Sequence, residues 1–580
     1  MIEKMTKYSF ILPSGRQEEF ISRLSELGIV DIKRSAVPVD SRSEEMLAGI
    51  ERLKGEIRDL ENGSDERLAS LLSEKTELER TLAEVEPWGE HDLGKFASLG
   101  LDIHFYIAPS NRFEPSWAED YALQTVSEKD GRTWFVVVGD ASGFPLSAVP
   151  APEAKASDVK SQIESKEAEI SEYRSALLKR RDEIPSLRKS VLDLKSSLTC
   201  YLTSLEGVEA AEGSLVTFEG FAPSKEDKSL AKALDETEGV FYLSEPAQEE
   251  DNPPIKLRNN RFSRLFECLT GMYGMPVYGE WDPTPVLSVF FLLFFAMCMG
   301  DAGYGLVLII YGILQERKIV NIGMFDGLGK LISVLGAATL VVGLFFGTAF
   351  GVDLSAASWV PSSLKALMLT GSVSVGGSSY ALQMVLALGI GVFHICLAMT
   401  IKALLYTRRF GIKSNISTWG WLVLILGGII TAIMAALGVL PQGVIKIIIY
   451  VIAAVSVLTI FVFNTPGRNP LINIGAGLWD TYGMATGILG DVLSYIRLYA
   501  LGLAGGMLGG AFNDLGAMVL GEGPTWQWIP YALILLFGHV LNLLMSCLGA
   551  FVHPLRLTFV EYFKNSGYEG KGRKYNPITK

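Results

Sequence analysis

The sequence predicts an α-helical polytopic membrane domain of about eight segments. It is joined to N-terminal cytosolic α/β lobes carried on an antiparallel coiled-coil hairpin. Three observations predict this. Charged residues and Ser are abundant up to about Arg264, whereas Leu, Ile, Val, Gly and Phe dominate from Val286 onward. In the second half, runs of about 20 apolar residues recur, the length that spans about 30 Å of hydrocarbon. In the first half, Ile163, Ile170, Leu177, Ile184, Val191 and Leu198 repeat at sevens, with Tyr173, Leu187 and Leu194 in the paired seam position.

The elements follow in order. Residues 1–40 alternate apolar and polar patches (YSFILPS, GIVDIKRS) punctuated by Gly28 and Pro38, as in a small α/β lobe. Residues 43–84 read as helix, with Ile50, Leu53, Ile57 and Leu60, then Leu68, Leu71, Leu78 and Leu82, at three-to-four spacing. Asn62-Gly63-Ser64 interrupts them, and Pro185 is expected to kink the second helix. Between the helices, IHFYIA and TWFVVVG read as strands of a lobe at the far tip. Strand-like stretches within 213–245 return to the first lobe. The expected division is a cytosolic arm over 1–264, a linker over 265–285 and a membrane domain over 286–580. Within the arm the proximal lobe takes 1–42 and 199–264, the coiled coil 43–84 and 156–198, and the distal lobe 85–155. The arm would be roughly 60 Å long. An ordinary coiled-coil adaptor is the alternative to a rigid strut.

A chain of 580 residues exceeds one core. Its net charge of −12 argues against nucleic acid as a partner. The five cysteines are scattered, without disulfide or zinc spacing. The start, MIEKMTKYSF, has no apolar signal core, so the first half is expected in the cytoplasm.

Apolar segments fall near 286–314, 331–352, 380–406, 418–438, 442–463, 478–512 and 528–557. Basic clusters lie at Arg317-Lys318 with Lys330, at Lys402 to Lys413, at Arg468 and from Arg556 to Lys580. Keeping them inside requires two short arms in 286–314, broken at the motif Gly300, Asp301, Ala302, Gly303, Tyr304, Gly305. Both termini are then cytoplasmic. One straight helix is the alternative, and it would put the first cluster outside.

Arg497 stands in a long apolar run, where an arginine costs roughly 2.5–3.5 kcal/mol on insertion scales. It is read either as a packing arginine bonded to carbonyls or as a fixed charge facing a mobile carboxylate. The run 478–512 would be about 50 Å as one helix, so tilt or a break is expected. Gly502, Gly505, Gly506, Gly509 and Gly510 would let another backbone pass closely. His553 and Arg556 share a face in the last segment, loosened by Pro554. Asp480, Asp491, Ser494, His539, Asn542 and Ser546 are candidates for a hydrated path or for hydrogen-bonded glue. His394 is read as packing. No GxxxxGK[ST] motif occurs, so no cofactor is expected in this chain and chemistry is expected from partners.

GEWDPTPVLSVFFLLFFAMCMGDAGYG, LALGIGVFHI, GDVLSYIRLYALGLAGG and FVHPLRLTFVEYF followed by YNP occur in that order. Together they resemble the a (or I) subunit of archaeal- and vacuolar-type rotary ATPases along essentially the whole chain. The resemblance implies a non-catalytic stator, conducting H⁺ or Na⁺ through two half-channels beside a ring of c (proteolipid) subunits; the start without a targeting segment and the compact loops point to the cell membrane. It implies peripheral-stalk partners (E/G type) on the arm and a central-stalk cap (C/d type) at the proximal lobe. Arg497 matches the family's essential arginine, and Arg556 with His553 matches the second arginine and its polar neighbour. Two family acids are absent: the region of Met484 and the position of Ser546 carry none. A secondary transporter with a regulatory arm, or a non-transporting scaffold, would also place polar residues in membrane helices. No repeat relates 286–406 to 418–557, as many transporters would have.

Overall fold

The computed structural model describes residues 1–33, 40–89, 100, 102–152, 154–237, 239–319, 327–375, 378–412, 415–436, 438, 441–462, 470–520 and 525–579. Pro38, Lys413 and Arg468 lie outside the described residues. The chain divides into two compact units, one of Leu12–Gly28, Arg34–Phe218 and Ile578–Lys580, the other of Met1–Ile11, Ile29–Lys33 and Glu219–Pro577.

In the first unit α1 (Gln17–Leu27) is followed by four long helices: α2 (Ser41–Asn62), α3 (Glu66–Val85), α4 (Ala156–Arg180) and α5 (Ile184–Ser204). Asp40 and Ser43 form a reciprocal capping box at the start of α2. Asp65 caps α3 by accepting from the Leu68 amide at 2.8 Å. α2 pairs with α5 and α3 with α4, each antiparallel: Gly49 faces Leu194, Asp65 accepts from the Tyr173 hydroxyl at 2.6 Å, and Lys75 meets Glu167 at 2.7 Å. Ile170, Leu177, Val191 and Leu198 of the seven-residue repeat are buried, whereas neighbouring Leu178 and Leu192 are exposed.

Both sides of this pairing break at one level. Gly63 takes φ of 66° at the end of α2, where a left-handed residue needs no Cβ. Opposite it, Arg181–Glu183 form a 3₁₀ turn, and the Arg181 guanidinium donates to the orphan carbonyls of Leu60 (3.0 Å) and Glu61 (2.6 Å). The expected kink at Pro185 is thus a 3₁₀ turn that joins α4 to α5. Pro185 lies in the first turn of α5, where its missing N–H has no partner to lose. Beyond α3 lies a three-stranded antiparallel sheet of β3 (Ile103–Pro109), β4 (Leu123–Lys129) and β5 (Arg132–Val138), with β5 central. The sequence marked β3 and β5. β4 is largely exposed, which hid it.

The other unit holds most of a sheet built from β1 (Met5–Pro13), β2 (Asp31–Ile32), β6 (Leu215–Pro223, of which the later part lies in this unit) and β7 (Phe241–Pro246), in the order β2–β6–β1–β7. Alternate residues Tyr8 and Phe10 face its core. Among the described residues the same unit contains six helical stretches long and apolar enough to cross a membrane, one of which (Ile474–Leu520) comprises two helices, and two shorter apolar helices. The short pair are α6 (Thr284–Met299) and α7 (Ala302–Glu316), separated where Gly300 takes φ of 56° and Asp301 caps α7. The break expected in 286–314 is thus present. α8 (Gly329–Phe346) lies against α7 so closely that a Cβ on Gly305 would stand 2.5 Å from the Leu340 nitrogen, and one on Gly312 2.7 Å from the Gly329 oxygen. In lipid such close backbone packing replaces the hydrophobic drive.

The remaining helices are α9 (Leu382–Phe410), α10 (Ile416–Ala436), α11 (Gln442–Val457), α12 (Pro470–Ser494), α13 (Ile496–Leu520) and α14 (Trp528–Arg556). The run expected over 478–512 is longer and is broken at Tyr495. α14 opens after Pro554 into a wide π-helical turn over Leu557–Tyr562. The tail then returns to the sheet. Tyr568 donates to the Gly274 carbonyl at 2.7 Å, Tyr575 to the Ile29 carbonyl, and the Asn576 amide to buried Asp31 at 2.9 Å. The YNP string is a strap.

Candidate functional site

The break at Tyr495 is built by α9. A Cβ on Gly391 would lie 2.3 Å from the Tyr495 ring, so only glycine leaves room for it. One turn on, His394 Nδ1 meets the Tyr495 hydroxyl at 2.9 Å. The His394 ring is sandwiched between Phe290 (4.1 Å) and Tyr562 (4.5 Å, interplanar 3°). His394 and Tyr495 are both fully buried, so the packing role read for His394 acquires a hydrogen bond. Arg497 follows two residues later, half-buried in the first turn of α13. Among the described residues it makes no ion pair or hydrogen bond.

From Arg497 an outward stripe runs up α13 through Ala500, Leu503, Ala504, Met507 and Met518, all exposed. A second runs along α14 through Met545, Leu548 and Val552 to exposed Arg556 and Val560. Each apolar stripe thus carries one arginine. His553 stands between them, within electrostatic reach of both guanidiniums, and its Nδ1 is buried without a partner. Sequence spacing joined His553 to Arg556; the fold adds Arg497.

At the glycines of α13 another backbone does pass closely, as expected. A Cβ on Gly502 would lie 2.7 Å from the Met297 oxygen, and one on Gly509 3.0 Å from Gly351 Cα. The backbone that passes closely here belongs to this chain. Gly506 alone of the five has open space beside it.

Two cavities approach the break. One of about 440 Å³ runs beside α13 from Gly510 to Tyr499, with Asp353, Thr348 and Gln383 on its polar side. The other, of about 350 Å³, lies between α10, α12 and the turn after α14, lined by Ser417, Asp480, Asp491, Lys564 and Asn565. Asp491 is buried, accepts from Asn565 Nδ2 at 2.8 Å and has Lys564 Nζ at 3.9 Å. Ser494 lies against Glu561, a residue outside the expected segment.

His539, Asn542 and Ser546 line neither of these cavities. They join a network closed on itself. Tyr304 meets His539 Nδ1 at 2.9 Å, Asn542 donates to Tyr304 (2.9 Å) and to the Gly505 carbonyl (2.8 Å), and His539 Nε2 meets Asn513 at 3.1 Å. Ser546 reaches Asn542 Oδ1 at 3.3 Å. Buried Asp301 anchors the network's edge: Oδ1 accepts from the amides of Gly303, Tyr304 and Phe350, and Oδ2 from Gly351, at 2.8–3.1 Å. The GDAGYG motif is a knot between α7 and the 348–353 hairpin.

The residues missed by sequence reading are Glu561, Lys564 and Asn565. The apolar run was ended at 557, which left them in the tail; an acid five residues beyond Arg556 was the available signal. No group of three or more His, Cys, Asp or Glu side chains placed to hold a metal occurs among the described residues.

Residues 146–356 match the model of the V-type ATPase 116kDa subunit family. The A-type ATP synthase subunit I of Methanocaldococcus jannaschii is 32% identical over 62% of this chain and 54% of its own. That of Pyrococcus abyssi is 31% identical over 67% of this chain and 57% of its own. The V-type ATP synthase subunit I 1 of Treponema pallidum is 25% identical over 96% of this chain and 93% of its own. The chain therefore spans little more than half the length of the two archaeal relatives it matches. With the ordered motifs and the apolar helices, these matches identify the chain as a member of the A/V-type ATPase subunit I family, a multi-pass membrane protein.

Proposed function

We propose that this chain is the stator past which a ring of proteolipid subunits rotates, and that it passes H⁺ or Na⁺ to and from the ring's carboxylates. The observation that carries the reading is Arg497, a membrane-depth guanidinium with no counter-ion among the described residues, at the foot of an exposed apolar stripe. A carboxylate supplied by another subunit completes it. An opposite charge within about 4–6 Å lowers a carboxylate's pKa by about 1–3. A ring carboxylate facing Arg497 therefore gives up its ion and stays ionised through the seam, which blocks a direct leak.

The cavity at Asp353 and Gln383 serves as one half-channel and that at Asp480 and Asp491 as the other. In this reading Arg497, which falls in the chain between the lining residues Asp491 and Tyr499, forces an ion to travel round the ring between them. Arg556 widens the positive zone, and His553 lies within reach of both guanidiniums. Each charge crossing 100 mV carries about 2.3 kcal/mol, so several per nucleotide match ATP chemistry. In this reading α6 and α7 both cross, both termini are cytoplasmic and the membrane is the cell membrane. The helix pairs of the first unit form the arm for peripheral-stalk subunits, and the sheet of the other unit faces a central-stalk cap.

The test replaces Arg497 by alanine in the assembled, reconstituted complex and measures ATP-driven ion uptake. Uptake should fall to background with assembly intact, and retained uptake rejects the reading. A cysteine at Ala504 or Met507, on the exposed stripe, should cross-link to a proteolipid subunit.

A further inference from the structure

We propose that the segment Arg258–Tyr273 is a docking surface for the headgroups of anionic phospholipids, in the leaflet where α6 begins. Such a surface is separate from the ion path and stands whether or not the chain passes ions.

The segment is held at a definite depth by what it buries. It consists of a helical turn, Arg261–Arg264, and a short helix, Glu267–Tyr273. Ser263, Phe266 and Thr270 are buried and dock on α6. Ser263 Oγ meets Ser288 Oγ at 3.4 Å, Thr270 Oγ1 meets Thr284 Oγ1 at 3.0 Å, and the Phe266 ring lies 6.2 Å from that of Phe291. Ser288 and Phe291 stand four and seven residues after Thr284, the first residue of α6. At 1.5 Å per residue, the turn Arg261–Arg264 therefore lies beside α6 roughly 6–10 Å along it. The 16 residues of α6 make about 24 Å, less than the roughly 30 Å of hydrocarbon in a bilayer. A helix this short starts at the boundary between headgroups and hydrocarbon, and a turn packed against its first two turns lies at that boundary too.

What the segment leaves outside is cationic and apolar. Arg258, Arg261 and Arg264 are exposed, as are Phe262 and Met272. Arg261 and Arg264, three apart, share one face of their turn. None of the three arginines makes an ion pair among the described residues. Other bases of the same unit do close on acids: Arg409 on Glu249 at 2.6 Å, Lys571 on Glu569 at 3.3 Å and Arg573 on Asp31 at 3.5 Å. Glu267, the acid next to Arg264 in the chain, is taken by Asn259 Nδ2 at 3.0 Å. On α6 itself, Pro285 and Val289 are the exposed residues of the first two turns, four apart and both apolar.

A phospholipid matches this arrangement at both ends. Its phosphate accepts from guanidiniums through paired N–H donors, and its acyl chains cover the apolar strip. A zwitterionic lipid carries its own cation beside the phosphate, so an anionic lipid is preferred. The depth along α6 favours lipid over a soluble acidic protein, which would leave Pro285 and Val289 uncovered.

The test uses the assembled complex in nanodiscs of phosphatidylcholine. A trace of phosphatidylglycerol or of phosphatidylcholine, each with a photoreactive headgroup, is added and irradiated, and adducts on residues 258–273 are measured by mass spectrometry. Phosphatidylglycerol should label this segment in excess of phosphatidylcholine. Arg261→Gln and Arg264→Gln should each lower that excess roughly fivefold, the weight of one basic residue at an anionic surface. Equal labelling by the two lipids, or an excess that survives the double variant, overturns the proposal. If the variants fail to assemble, the wild-type complex is read at rising potassium chloride. The excess should then fall as surface charges are screened, and an excess indifferent to salt overturns the proposal. Loss of the adducts on adding inorganic phosphate at fixed ionic strength would assign the arginines to a soluble anion. Adducts on the purified chain that vanish in the complex would assign the face to another subunit. Either result also overturns it.

Discussion

The network around Asp301 and the zone around Arg497 are both polar, both set among apolar helices, and opposite in their bonding. Around Asp301 every hydrogen bond closes within the chain, through Tyr304, His539, Asn513, Asn542 and Ser546. Around Arg497 the bonds stay open: the guanidinium has no counter-ion among the described residues, and His553 Nδ1 and Glu561 Oε2 have no partner. In hydrocarbon an open polar group is costly, so it persists where water, an ion or another subunit completes it. Polarity alone does not mark a transport path.

The strongest way to break this comparison is Asp301→Ala. It strands four backbone amides, each costing about 1–3 kcal/mol when buried unpaired. The expected outcome is a membrane domain that fails to reach a stable detergent-solubilised form, read by size exclusion and thermal melting. A variant that folds normally would remove the structural half of the contrast.

Tyr495→Phe sharpens the other half. It removes the hydroxyl that holds His394 Nδ1 and should cost about 1–3 kcal/mol, lowering the melting temperature. Because Arg497 begins its helix two residues later, ion uptake should fall further than the melting shift explains. Equal uptake per folded complex would mean that the break does not position the arginine.

The smallest effect lies in the first unit, where charge is exposed. Lys160, then Lys129, beside Glu86 hold its carboxyl below the ordinary 4.5, and Lys166 does the same for Glu74. Folded values below unfolded ones mean the stabilisation is present above about pH 4.5 and is lost as pH falls through the lowered values. Glu167 beside Lys75 and Glu74 beside Lys166 raise those ammoniums, whose contribution holds below 10.5 and is lost only as pH rises through the raised values. Protection of the α3 and α4 amides, after correction for the intrinsic pH dependence of exchange, should therefore fall modestly in acid, and high salt should have a similar effect. Unchanged exchange would show that the apolar seam alone holds the pair.

Legibility followed the same division. The heptads at Ile170, Leu177, Val191 and Leu198, the Gly63 interruption and the Gly300–Asp301 break could be read directly, because period, left-handed backbone and caps are local properties. Arg497, Arg556 and His553 were legible as misfits in apolar runs. Their convergence was not, since it joins two helices separated by a loop. The α13 glycines were legible as a face for close packing, and which backbone fills it was not, because a stripe of small residues states that something packs closely, not what. Glu561 escaped because a π-helical turn extends the last helix beyond its apolar run.

The amino-acid order by itself determined where the chain enters apolar surroundings, where its helices stop and which charges are out of place there. These follow from side-chain hydrophobicity and backbone sterics over a few residues. Only the tertiary structure decided which misplaced polar groups are satisfied and which are left open. That depends on hydrogen-bond partners hundreds of positions away: Asn542 closes on Tyr304, whereas nothing described in the chain closes on Arg497.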